Sequence, residues 1–399
     1  MNEITRNQEE FKRKLQIQME KDQLDVMLLT NAESIYYATG VVSPFAYQGA
    51  QLGTIVAIVP KEGKVSLVTT EFEAGLTKLS NPELNVVSYP IWIYVADFCN
   101  AGKKRDVQPD TNKTLRMAAE LVKDTTAVLE HVGVEASSMP YEKMLALYEL
   151  FGKDKIVNCE HTLIEAKAIK TAWEIQVLKK NAQATEKAMK YTAENTHVGM
   201  SEMDILHLWN QACAKEENIE FYGRSYAICI AEQYTPFVLP RKDIVLKDGD
   251  LVRLDAGLFA DAYTADIART YVAGTQVPDE RRRIYEVLLS AHDLIFDRMG
   301  PGVRMCDVFD AALKHIQKSI PDFIRGHFGH SVGCNRFAEE YPMIGDGESR
   351  VFEPGMVFSV EVPYYSTFNN SFNIEDTCVI TETGVERFTY ANRSLEWKG

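Results

Sequence analysis

The chain has 399 residues, 46% hydrophobic and 25% charged, a length of two or three ordinary domains and a composition that excludes collagen, coiled coil and disorder. With 43 basic and 57 acidic side chains its net charge is −14, so its field repels nucleic acid and anionic membrane surfaces, and neither is expected as a partner. Seven Cys without C-x-x-C spacing, a polar start from Met1 to Lys14 and the lack of any apolar run of about 18 residues point to reduced thiols and the cytoplasm.

The first part alternates short elements. An amphipathic segment over Phe11–Lys21 precedes an apolar strand Val26–Leu29, and Glu33-Ser34-Ile35-Tyr36-Tyr37 leads to Gly40. Thr54–Val59 and Val65–Thr69 read as strands joined across a Pro60–Lys64 turn, because β-branched residues flank a Pro/Gly-punctuated stretch. A strand at Ala127–Leu129, a helix from Pro140 to Phe151 and a strand near Ile156–Val157 complete an α/β pattern. From Glu165 to Asn195 the chain reads as one long helix without Gly or Pro, its apolar stripe carried by Trp173, Val177, Ala184 and Ala188. Ser201 and Asp204 form a capping-box pattern that opens a second helix. Strands dominate from Tyr226 to Tyr271, helices follow at Asp279–Met299 and about Cys306–Ser319, and strands return after Gly326. The irregular Cys159–Thr162 stretch places a domain boundary near Ile164, giving domains over 1–164 and 165–399.

Five candidate ligands stand in the second half, each in an apolar, strand-like context: Asp255, Asp266, His330, Glu361 and Glu375. Any one alone is an ordinary strand-end or loop residue. A buried ionised carboxylate needs a counter-charge, and four that converge need a shared cation. Four carboxylates and one imidazole suit two divalent first-row metals; Mn is the first expectation, with Fe, Co or Zn as alternatives.

The order and surroundings of these residues resemble the pita-bread metallohydrolases, which include methionine aminopeptidase, aminopeptidase P, prolidase and the metal-free creatinase. Lys247-Asp248-Gly249-Asp250 before the first ligand, Ile267-Ala268-Arg269-Thr270 after the second and Glu353-Pro354-Gly355-Met356 before Glu361 carry the resemblance, as does Asn31–Gly40 in the first half. It implies an α+β chain: a C-terminal pita-bread domain and a smaller α/β creatinase-like N-terminal domain. It also implies a homodimer. By resemblance, Asp255 binds one metal through both oxygens, Asp266 and Glu375 bridge the pair, and His330 and Glu361 complete the other. A hydroxide bridging the metals is then the nucleophile, and Glu361 moves its proton toward the leaving nitrogen.

Two departures stand beside this match. The family's peptidases carry a histidine upstream of the first ligand, where this chain has Phe237. They carry another in a His-Glu-x-Pro segment, where this chain has Phe337, or Ala338 if one residue is inserted. Phe237 and Phe337 are therefore expected to line the substrate pocket. His327 is a candidate to touch substrate, although a strand would turn it to the face opposite His330. Arg269 and Asp376 are expected to support the bridging carboxylates without touching substrate. The aromatic run Ile91–Tyr94 with Phe98 reads as a core strand or as a segment reaching a partner's cleft.

The leading expectation is a metal-dependent hydrolase of small C–N bonds, similar to Xaa-Pro dipeptidases and aminopeptidases, acting on a small peptide. The alternative is a relative retuned to a non-peptide small-molecule reaction, a lyase or an amide or amidine hydrolase. A non-catalytic peptide-binding module is the weakest reading, because such relatives lose metal ligands and this chain keeps all five.

Overall fold

The computed structural model describes residues 4–47, 55–91, 110, 112–125, 128–216, 227–230, 240–336, 338–366 and 371–396. The chain divides into two compact units, Thr5–Lys167 and Ala168–Gly399, the second joined by Met1–Ile4. Among the described residues no helix is long and apolar enough to cross a membrane.

The first unit runs α1 (Gln8–Lys21), β1 (Val26–Leu29), α2 (Ala32–Thr39), α3 (Pro44–Tyr47), β2 (Val56–Pro60), β3 (Ser66–Thr70), α4 (Glu71–Ser80), β4 (Asn85–Tyr89), α5 (Lys113–Thr125), β5 (Val132–Val134), α6 (Tyr141–Phe151), β6 (Ile156–Asn158) and α7 (Glu160–Ala168). Its six strands form one mixed sheet in the order β4-β3-β2-β1-β5-β6. Val26, Leu28, Val56, Ile58, Val132 and Val134 meet α5 and α6 in a buried core. Gly40 ends α2 in the left-handed region at φ 73°, a C-terminal cap that favours glycine. The strand expected at Ala127–Leu129 forms instead at Val132–Val134, beside β1. Gly133 allows this: a Cβ there would lie 2.8 Å from the Cys159 Cβ.

The second unit begins with α8 (Ala172–Asn195) and α9 (Glu202–Cys213). The single helix expected over Glu165–Asn195 is two helices. Thr171 breaks it by accepting from the Glu174 backbone N–H, while the Glu174 carboxylate accepts from the Thr171 backbone N–H, a reciprocal cap that starts α8 afresh. Of the irregular stretch expected at Cys159–Thr162, Glu160 to Thr162 form the first turn of α7.

There follow β7 (Ala227–Ile230), β8 (Leu251–Ala256), β9 (Phe259–Ala260), β10 (Tyr263–Thr264), β11 (Ile267–Val272), α10 (Asp279–Arg298), α11 (Met305–Gln317), β12 (His327–Ser331), β13 (Glu340–Gly345), β14 (Val357–Glu361), β15 (Tyr364–Tyr365), β16 (Ser371–Phe372), β17 (Glu375–Ile380) and β18 (Val385–Arg387). The large sheet has the order β13-β12-β14-β17-β11-β8-β7, with β18 paired to β17. Side chains alternate along each strand, so one face carries Leu254, Ile267, Phe358, Val360 and Cys378. These pack against residues of α8 and α9 on one side and of α10 and α11 on the other. The opposite face carries the polar side chains of Asp255, Ser359, Glu361, Glu375 and Thr377.

His292 of α10 is fully buried in that apolar layer. Its Nε2 lies 3.1 Å from the Val360 carbonyl, and Arg393 Nη1 lies 3.3 Å from its Nδ1. A carbonyl accepts and a guanidinium donates, so Nε2 carries the proton, Nδ1 is bare and the ring is neutral. Burial pushes its pKa down to about 4, against the pull of Asp376. An unfolded histidine titrates near ~6.5, so between that pH and about 4 the unfolded chain binds a proton that the folded chain refuses. Stability is therefore full above pH ~6.5 and falls as pH drops through this window, by ~3 kcal/mol at full extent. Urea unfolding at pH 7 and pH 4 should show that His292→Gln, which keeps both hydrogen bonds, loses less stability on acidification than the wild type. An equal loss would rule this account out.

Candidate metal centre

Register brings the five candidate ligands together. Residues directly opposite in an antiparallel ladder share a face, and so do residues two apart on a strand. Ala268 of β11 opposes Asp255 of β8 on one side and Glu375 of β17 on the other. Glu375 opposes Glu361 of β14, and Ser359, two residues before Glu361, opposes His330 of β12. Asp266 precedes Ala268 by two residues. All five side chains therefore project from the polar face of one sheet.

They form two groups on that face. Asp266, His330 and Glu375 are buried and offer ligand atoms that all lie within 4.8 Å of one another. His330 Nδ1 is 3.2 Å from the Ser331 carbonyl, to which it donates, and its Nε2 stands 3.8 Å from Asp266 Oδ2 and 3.6 Å from Glu375 Oε1. Asp255 and Glu361 form the other group, joined by Asn373, whose Nδ2 lies 3.3 Å from an oxygen of each.

The electrostatics of the two groups differ. Burial, then the neighbouring Glu375 and Asp255, push the Asp266 carboxyl well above the usual carboxylate range, and burial with Glu361 and Asp255 does the same to Glu375. Burial also raises Asp255, with Arg253 opposing. Glu361 goes the other way: burial alone would raise it, but Arg325, His330 and His327 hold it below its ordinary value. Arg325 Nη2 is 2.5 Å from Glu361 Oε1.

The donor set fits a divalent metal. Asp266 Oδ1 and Glu375 Oε1 are buried without a hydrogen-bond partner among the described residues, and two such carboxylates side by side call for a proton or a cation between them. Oxygen donors with one imidazole are the ordinary ligands of Mn, Fe, Co and Zn.

His327 corrects the sequence reading. Strict alternation would turn it away from His330, but β12 is bulged: three residues separate His327 from His330 while their partners Gly345 and Met343 are two apart. The two imidazoles thus share the site face, ring centres 6.0 Å apart, and His327 Nδ1 lies 3.4 Å from Glu361 Oε1. Burial lowers the His327 pKa, against the pull of Glu361.

Arg269 and Asp376 lie on the reverse face, paired at 2.5 Å. Arg269 also donates to the Glu375 backbone carbonyl at 2.6 Å, behind the ligand. Phe237, Phe337 and the run from Trp92 to Phe98 lie outside the described residues, while Ile91 is buried. The alternative slot, Ala338, is buried and has φ +61°. Sequence reasoning passed over Arg325, Asn373, Arg253 and Tyr365. Asn373 and Arg253 stand two residues before Glu375 and Asp255, so alternation alone would have placed both on the site face.

Residues 176–382 match the model of metallopeptidase family M24, and residues 12–169 match the creatinase/prolidase N-terminal domain. The chain belongs to metallopeptidase family M24. It has the two-domain creatinase/prolidase-like architecture with a pita-bread C-terminal domain, and it is a metal-dependent, peptidase-like hydrolase by class. The family implies divalent metal, in keeping with the donor set. An Xaa-Pro dipeptidase of Pyrococcus horikoshii is 25% identical over 385 residues, 94% of this chain and 96% of that one. One from Pyrococcus furiosus is 28% identical over 284 residues, 69% and 77% of the two chains. The solved structure of an Xaa-Pro dipeptidase from Bacillus anthracis superposes with a TM-score of 0.81 at 21% identity, covering 98% of this chain and 99% of that one, a likeness of fold.

Because Asp266 and Glu375 repel each other in the metal-free M24 domain, Asp266→Asn should stabilise that form by ~1–2 kcal/mol and abolish the rise in melting temperature that Mn²⁺ gives the wild type. Thermal unfolding with and without Mn²⁺ measures both. A metal-free variant less stable than wild type would contradict the repulsion.

Proposed function

We propose that this M24 protein hydrolyses a small C–N bond of the Xaa-Pro dipeptide type. The observation that carries the reading is the single sheet face on which four carboxylates and His330 stand with two buried oxygens unpartnered. In this reading Asp255, Asp266, His330, Glu361 and Glu375 would together hold two divalent ions, Mn²⁺ being the first candidate. When bound, such ions lower the pKa of water and polarise a carbonyl. Xaa-Pro dipeptides are the substrates to try first, since relatives over nearly the whole chain are Xaa-Pro dipeptidases.

The proton steps belong to this chain's own residues. Glu361, fixed by Arg325, would accept the proton released as water attacks and pass it to His327 Nδ1, 3.4 Å from Oε1, and the imidazolium so formed would give that proton to the leaving nitrogen. Arg269 and Asp376 position Glu375 from behind by fixing its backbone carbonyl. Steady-state kinetics of Mn²⁺-loaded protein on Xaa-Pro dipeptides test the assignment. His327→Asn should lower kcat by ~10²–10⁴ with metal content unchanged. Undiminished turnover would remove His327 from the mechanism.

A second reading, retuning to a non-peptide small molecule, is favoured by the buried Ala338 and by Phe237, neither of which can donate to a substrate oxygen. In the peptidase reading Phe237→His supplies a donor beside the developing oxyanion and should raise dipeptide turnover. In the retuned reading the same change leaves dipeptides untouched and lowers activity on the true substrate. Rates and metal stoichiometry of this one variant separate the two, and we expect the second result.

A further inference from the structure

Lys170 carries a buried amine that the mechanism above does not use. It stands one residue before the Thr171 cap of α8, its backbone N–H donates to the Gly355 carbonyl at 2.9 Å, and its side chain is 1% exposed. Its Nζ donates to the Ser331 hydroxyl at 2.6 Å and lies 3.9 Å from Glu340 Oε2. Ser331 follows the candidate ligand His330, and its carbonyl accepts from His330 Nδ1 at 3.2 Å. One residue therefore takes a hydrogen bond from the ammonium through its side chain and another from the imidazole through its backbone. Gly333 leaves room for this arrangement: a Cβ there would lie 2.5 Å from Glu340 Oε2 and 3.4 Å from Lys170 Cε.

The ladder is irregular where Lys170 meets it. Toward β14 the register of β12 runs evenly, His330 opposite Ser359 and Ser331 opposite Phe358. Toward β13 it breaks: His330 pairs with Met343 but Ser331 with Glu340, so one step along β12 answers three along β13. Lys170 spans that break, bonded to Ser331 and beside Glu340. A buried ammonium is costly, and an apolar side chain of similar volume would stabilise the packing as well or better. The bond made by one imidazole nitrogen sets where the other one points. We infer that Lys170 is a positioning residue: by holding Ser331 at the break it fixes the carbonyl that aims His330 Nε2 at the metal site. The inference rests on the metal-dependent reading above and extends it to a side chain that touches neither metal nor substrate.

Titration of the metal-free, full-length protein with Co²⁺, followed by visible absorption, tests it without reference to turnover, because the ligand-field bands report the geometry around the ion. Lys170→Met should weaken Co²⁺ binding ~10–100-fold and shift the bands. Ser331→Ala should give the same loss and the same shift, and the double variant should be no worse than either single one, since both remove one hydrogen bond. Glu340→Gln, which spares that bond, should keep wild-type affinity and bands whatever it does to the melting temperature. Unchanged bands and affinity in Ser331→Ala, additive losses in the double variant, or a loss that follows Glu340→Gln instead would reduce Lys170 to half of a structural ion pair and overturn the inference, with the metal reading still standing. If Lys170→Met does not fold, Ser331→Ala and Glu340→Gln decide between these outcomes. A wild type that binds no Co²⁺ would bring down the metal reading itself, and the inference with it.

Discussion

The constraint on which this molecule turns is the burial of four carboxylates on one face of a single sheet. Burying a charge without a partner costs more than almost any other single feature of a fold can recover. Asp266 and Glu375 nevertheless sit side by side, each with an oxygen that nothing among the described residues satisfies. Hydrophobic packing of the reverse face against helices residues hold the strands in register regardless, so the cost is imposed on the site by the rest of the domain. Stability is given up locally where an ion can restore it, and the donor atoms are held in place before the ion arrives.

Much of this was legible in the sequence because ligands on antiparallel strands obey a simple arithmetic. Each of Asp255, Asp266, His330, Glu361 and Glu375 interrupts an apolar stretch, and with a period of two the neighbours two residues away fall on the same face. The same arithmetic failed at His327, because a bulge adds a residue to β12 and reverses its facing. No pattern in a lone sequence announces a bulge of this kind. Arg325 was invisible for another reason: it lies ahead of the strand, where no period applies, and only the folded chain brings it to Glu361.

In the first unit the strands expected at Val26–Leu29, Thr54–Val59, Val65–Thr69 and Ile156–Val157 lie within one or two residues of those found, whereas β4 at Asn85–Tyr89 was not read and the strand at Val132–Val134 was misplaced. That strand depends on Gly133 fitting against Cys159, a tertiary contact rather than a propensity. The break at Thr171 was written in the sequence as a Thr-x-x-Glu pattern, but the unbroken helical run from Glu165 masked it. Local capping won because a reciprocal cap satisfies two backbone donors that an uninterrupted helix would not need to expose.

The neighbouring pair Glu375 and Asp376 shows why an outside cation is required. Successive residues of β17, they send two buried carboxylates to opposite faces of one sheet. On the reverse face Asp376 meets Arg269 at 2.5 Å and accepts from the Thr389 hydroxyl. Burial alone would raise its pKa, but Arg269 and His292 hold it below the ordinary value. On the front face burial, then Glu361 and Asp255, raise the Glu375 pKa against a weaker pull from Arg325, and His330 Nε2 stands 3.6 Å away. Residue type, depth and strand are all but the same, so the difference lies in the partner supplied. Asp376, a structural carboxylate, has an arginine in direct contact. Asp266 and Glu375 have none in direct contact among the described residues and stand ready for a metal.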